Sequence, residues 1–114
     1  MALYLFRFAY TPEVWASMME SPRDRRDMLA SRLFGFGGHL QGFWYCFGEL
    51  DGYALAELPD NVSAAAVATA VTATGAFRRF ETTVLVTVDE MIEALQHARD
   101  FAYESPDARA PAAG

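Results

Sequence analysis

Two charges stand alone in apolar surroundings. Arg7 interrupts the run Ala2 to Tyr10 (ALYLFRFAY), and Glu57 interrupts Tyr53 to Leu58 (YALAEL). A charge within an apolar strand is tolerated mainly when it is paired, and an arginine fork suits a carboxylate. If the two strands lie side by side and parallel, Arg7 and Glu57 sit at comparable heights on one face, with Leu5, Tyr53 and Leu55. They are then either an ion pair holding the interior or the polar anchor of a ligand pocket, because charges in cavities cluster at functional sites.

Further candidates follow from side-chain chemistry. His39 falls at a strand start, where an imidazole could act as a general base near neutral pH. No nucleophile or orienting acid adjoins it in sequence, so a structural role competes with a catalytic one. Tyr53 and Tyr45 could donate hydrogen bonds to a carbonyl or phenolate, and Trp44 could stack on a planar ligand. At strand spacing the same residues also serve core or interface. Cys46 lies among aromatics without a nearby cation, conditions that keep a thiol protonated and inert. Glu49 and Asp51 resemble an acid pair, yet they fall between Gly48 and Gly52, and Asp-Gly is a hairpin dipeptide. The glycine-rich stretch Gly35 to Leu40 precedes a strand instead of following one and has leucine where the third glycine of the motif belongs, which excludes a dinucleotide-binding loop.

Composition removes several classes of function. Nine basic against fifteen acidic residues leave a net charge of −6, a field that repels nucleic acid and anionic membranes. Every basic residue is arginine, so Schiff-base chemistry on lysine and a P-loop lysine are excluded. One cysteine and two histidines supply no metal site, and the residue pattern points to no cofactor. The apolar N-terminus has no basic region before it and carries Arg7, which marks a strand instead of a signal peptide. A soluble, cytoplasmic protein is the expectation.

Elements that would position these residues can be read along the chain. Residues 2–10 form a strand apolar on both faces. Thr11-Pro12-Glu13 opens a helix, which restarts or kinks at Ser21-Pro22 and runs to glycines at 35, 37 and 38. Arg23, Arg25, Arg26 and Arg32 alternate with Asp24 and Asp27 as a solvated helix face. Residues 39–47 form a second strand, with His39, Gln41, Phe43, Tyr45 and Phe47 on one side and Leu40, Gly42, Trp44 and Cys46 on the other. Residues 52–58 are a third strand, 61–74 a helix of alanine, valine and threonine, and 82–86 a fourth strand. Thr87-Val-Asp-Glu90 is a capping box opening a helix through Phe101. A single domain over residues 1–103 is expected, with 104–114 as a disordered tail.

The order β-α-β-β-α-β with an added C-terminal helix predicts an α+β, ferredoxin-like fold. Its helices cover one sheet face, and the apolar residues on the other face call for a homodimer, a dimeric α+β barrel. At Gly48-Glu-Leu-Asp51, followed by a strand ending Glu57-Leu-Pro-Asp60, the chain resembles the GYD-domain family. Tyr4-Leu5, Tyr10-Thr-Pro-Glu13 and Gly75-Ala-Phe-Arg78 extend the likeness over residues 2–93. Leu50 stands where the family's name-giving tyrosine usually sits, which puts any chemical role of that tyrosine in doubt here. The resemblance implies the same dimeric barrel and little about activity, since the family is mostly described as of unknown function.

Two functions follow as expectations. The first is binding of a small apolar or aromatic molecule between sheet and partner, through Arg7, Glu57, Tyr53, Leu55, Tyr45 and Trp44. The alternative is a cofactor-independent monooxygenase, isomerase or cyclase acting on an aromatic or polyketide-like substrate, with Arg7, Glu57 and His39 as catalytic candidates.

Overall fold

The computed structural model describes residues 1–107. Its elements are β1 (Ala2–Tyr10), α1 (Pro12–Glu20), α2 (Arg25–Gly35), β2 (His39–Tyr45), β3 (Gly52–Leu58), α3 (Asn61–Ala73), β4 (Phe77–Leu85) and α4 (Val88–Ala98). The strands form one antiparallel sheet in the order β2-β3-β1-β4. This is the ferredoxin-like α+β arrangement with an added C-terminal helix. Residues 108–114, most of the expected disordered tail, lie outside the described residues.

Local chemistry sets most of the boundaries. Thr11 caps α1 by accepting from the Val14 amide at 3.3 Å, and Pro12 fits the first turn, where no amide partner is required. The residue before a proline is pushed to extended backbone, and Ser21, ahead of Pro22, ends α1 at φ −140° and ψ 82°. Ser21 is therefore a C-cap and not the start of the next helix. Asp24 takes that role, its carboxylate accepting from the Arg26 amide at 2.9 Å. The capping box of α4 forms as expected, with Thr87 and Glu90 bonded reciprocally. That helix ends at Ala98, three residues earlier than its sequence suggests, and β4 begins five residues earlier, at Phe77.

Side-chain size couples β1 to β3. Tyr4, Phe6 and Phe8 of β1 lie opposite Ala56, Ala54 and Gly52, so each large ring has a small neighbour beside it. The Phe8 ring fills the space that a Cβ on Gly52 would need. Gly52 is thus an in-strand packing glycine, and the Asp51-Gly52 pair is not the hairpin turn expected of it. Tyr4, Phe6, Ala54, Ala56 and Leu58 are buried with Leu33 of α2 and Ala64 of α3, which makes this the helix-covered face and the core.

Antiparallel pairing overturns the expected Arg7–Glu57 pair. Arg7 lies opposite Tyr53, while Glu57 lies opposite Leu3. Four residues of strand separate the two, roughly 13 Å at the usual rise. Arg7 instead faces Glu81 on β4 and pairs with it at 3.0 Å. Both side chains are partly exposed, so the pair contributes about 1 kcal/mol at most.

A bulge corrects the expected faces of β2. Register shifts between Leu40 and Gly42, leaving Gln41 as the extra residue. Leu40, Phe43 and Tyr45 lie opposite Ala56, Ala54 and Gly52, on the helix-covered face. Trp44 lies opposite Tyr53 and His39 opposite Glu57, on the open face. Simple alternation would have placed His39 and Tyr45 together.

Candidate functional site

α3 contributes bulk to the core only through small side chains. Ala64 is buried, Val67 packs against the core from its edge, and Val67, Ala70, Val71 and Thr74 line the space above the sheet. The space left between α2, α3 and the sheet is a cavity of about 430 Å³. That falls within the usual range for small-molecule sites. Its floor is aromatic, with Phe6, Phe8 and Tyr10 from β1, Phe43 from β2, and Phe77 and Phe80 from β4. The Phe8 and Phe43 rings are 5.5 Å apart and the Tyr10 and Phe77 rings 5.1 Å apart, so the rings brace one another.

α2 supplies the polar edge. Arg25, Met28, Leu29, Arg32, Leu33 and Phe36 line the cavity in helical spacing. At 100° per residue Arg32 falls about 20° from Arg25, and both lie between Met28 on one side and Leu29, Leu33 and Phe36 on the other. Arg23, Arg26 and Arg32 are exposed, as a solvated face requires, while Arg25 is half-buried; Arg25 and Arg32 both line the cavity edge. The signal for Arg25 was its angular position among apolar residues, which alternation of charge along the chain conceals.

The Tyr10 hydroxyl belongs to the same edge, beside the Tyr45 and Arg25 side chains. Burial, followed by the bond to Tyr45, pushes its pKa well above the ordinary value of 10.0, with Arg25 acting in the opposite direction. The phenol is therefore a hydrogen-bond donor and not a base at neutral pH. Neither carboxylate nor imidazole lines the cavity among the described residues.

Asp51 holds this end of the sheet together. It is 9% exposed, and one carboxylate oxygen accepts from the Tyr10 amide at 2.9 Å and from Trp15 Nε1 at 3.0 Å. Its amide donates to the Phe8 carbonyl at 2.8 Å and its carbonyl accepts from the Cys46 amide at 2.8 Å. Turn chemistry alone did not reveal this: the carboxylate ties β1, α1 and the β2–β3 connection at one point. Cys46 Sγ donates to the Leu50 carbonyl at 3.3 Å, a packing role.

The remaining candidates divide between the faces. Arg7, Tyr53, Leu55, Glu57, Trp44 and His39 share the open face, away from the cavity. There Gln41 Nε2 donates to Glu57 Oε1. Tyr45 alone adjoins the cavity, its ring 5.2 Å from Phe43. Among the described residues no three His, Cys, Asp or Glu side chains gather as a metal site, and no helix is long and apolar enough to cross a membrane.

The fold and its cavity define a small α+β domain with room for a ligand under its helices. The model of the GYD domain matches residues 4–95, and the chain belongs to that family. No curated protein and no solved structure matched it.

Proposed function

We propose that this GYD-domain protein binds a small apolar or aromatic molecule in the cavity between the sheet and helices α2 and α3. The observation that carries the reading is the cavity itself, about 430 Å³ with an aromatic floor. An apolar space of this size that stayed dry would forfeit contact energy, and a flat apolar molecule would restore it. Expected from the sequence was a ligand on the Arg7 face, against a partner; the cavity favours the opposite face. No carboxylate or imidazole lines the cavity among the described residues, and its apolar, aromatic lining supports binding.

A second copy of the chain belongs to the same proposal. Leu3, Leu5, Leu55 and Leu85 share the open face with Trp44, which is 55% exposed. Buried Arg7 Nε on that face has no hydrogen-bond partner among the described residues. Sheet-to-sheet packing of two copies would cover the leucines and bring polar groups to Arg7, giving a dimeric α+β barrel.

Filling the cavity tests the ligand reading. Val67→Phe on α3 adds a ring to the lining without touching the charged edge. Native mass spectrometry and fluorescence titration with 1-anilinonaphthalene-8-sulfonate are expected to show about a tenfold or greater loss of binding, with circular dichroism unchanged. Unaltered binding in a folded Val67→Phe protein would place the ligand elsewhere.

A further inference from the structure

Two arginines stand at the edge of the apolar cavity, and neither makes an ion pair among the described residues. In a chain with nine basic and fifteen acidic residues, carboxylates are in excess. The ion pairs among the described residues nevertheless join Arg7 to Glu81, Arg26 to Asp24, Arg78 to Asp51 and Arg79 to Glu81. Arg25 and Arg32 are in none of them, and no acidic side chain lines the cavity.

Position sharpens the point for Arg25. It is half-buried and is the first residue of α2, where the helix dipole disfavours a cation. Its charge therefore adds to the positive end of the helix instead of offsetting it. Beside it, the Tyr10 hydroxyl remains protonated and able to donate. A partly desolvated cation and a phenolic donor adjoin at one end of an apolar space, with a second, exposed cation two turns along α2.

We infer that the ligand is an amphipathic organic acid, its planar apolar body among Phe8, Phe43 and Phe77 and its anionic group held by Arg25 with the Tyr10 hydroxyl, Arg32 adding positive charge farther along the same edge. The guanidinium forks match a carboxylate in shape, and hydrogen bonds to an ionised acceptor are about twice as strong as neutral ones. The Tyr10 phenol adds a third donor. This inference rests on the cavity being the ligand site.

Matched probes separate the two ideas. Isothermal titration calorimetry of the full chain with 2-naphthoate and with 2-naphthamide compares an acid with its neutral isostere. The acid is expected to bind at least about tenfold more tightly, the worth of one charge-assisted hydrogen bond. Arg25→Gln should remove most of that preference without changing the affinity for the amide, while Arg25→Lys retains part of it. Equal affinities, or an amide preference, would overturn the acid inference and leave the cavity reading standing. Loss of amide binding along with acid binding in a folded Arg25→Gln protein would likewise overturn it. If neither probe binds, the cavity reading fails and this inference falls with it.

Discussion

Asp51 shows how one side chain can matter more for geometry than for chemistry. Its carboxylate receives the Tyr10 amide and the Trp15 indole, and the Tyr10 ring rests 5.2 Å from Trp15. Removing the acceptor leaves buried donors unsatisfied, a cost set by their desolvation and not by the modest net worth of a hydrogen bond. Asp51→Ala is expected to destabilise the fold by about 2–4 kcal/mol in chemical denaturation, with Asp51→Asn, which keeps an acceptor oxygen, costing roughly half as much. Because Tyr10 is fastened through this contact, Asp51→Ala should also loosen the polar edge of the cavity. Arg78, 3.9 Å from the other carboxylate oxygen, adds little to the estimate.

Helix termini carry much of the local order, and three of them depend on ionised acids. Asp24, Asp60 and Glu90 accept from backbone amides at the starts of α2, α3 and α4. Hydrogen bonding holds each pKa below its ordinary value: bonds to Arg26 for Asp24, to the Ser63 amide for Asp60 and to the Thr87 amide for Glu90. A depressed pKa means the folded state favours the carboxylate. The stabilisation is then present above the ordinary carboxylate values, 3.8 for Asp and 4.5 for Glu, and lost as pH falls through the lower folded values. Helical circular dichroism and melting temperature should accordingly be flat from neutral pH to about 5 and fall below about 4. Asp60→Asn should flatten the part of that fall due to α3. A melting temperature that rises on acidification would contradict the sign.

The whole chain is longer than its packed body requires. Its radius of gyration is 19.4 Å, against about 13 Å for a compact domain of this length. Every residue of α4 from Val88 to Ala98 is exposed, including the stripe Val88, Met91, Ile92 and Leu95. That stripe and the open sheet face are the apolar surfaces a second copy would cover. Light scattering is expected to give twice the chain mass of 12.6 kDa. Leu5→Glu, which places a carboxylate at the centre of the open face, should shift it to one chain mass without loss of β-sheet signal. A dimer that survives Leu5→Glu unchanged would place the interface elsewhere, α4 being the next surface to test.

What the chain determined by itself was local. Thr11 and Thr87 mark helix starts because a cap needs only a hydroxyl and the next few amides, and the glycines beyond residue 34 end α2 for similarly short-range reasons. The apolar runs at 2–10 and 52–58 marked two strands, the succession of elements carried the α+β order, and short motifs carried the family likeness. Composition alone removed lysine chemistry. Pairings between distant segments were decided only in three dimensions. Antiparallel register parted Arg7 from Glu57, because direction along a neighbouring strand reverses every height relation. One extra residue at Gln41 exchanged the faces of β2, since a period of two cannot absorb an insertion. Arg25 and Arg32 became cavity residues because the small side chains of α3 left space beneath them, so that their angular position within α2 took its meaning from what another helix lacks.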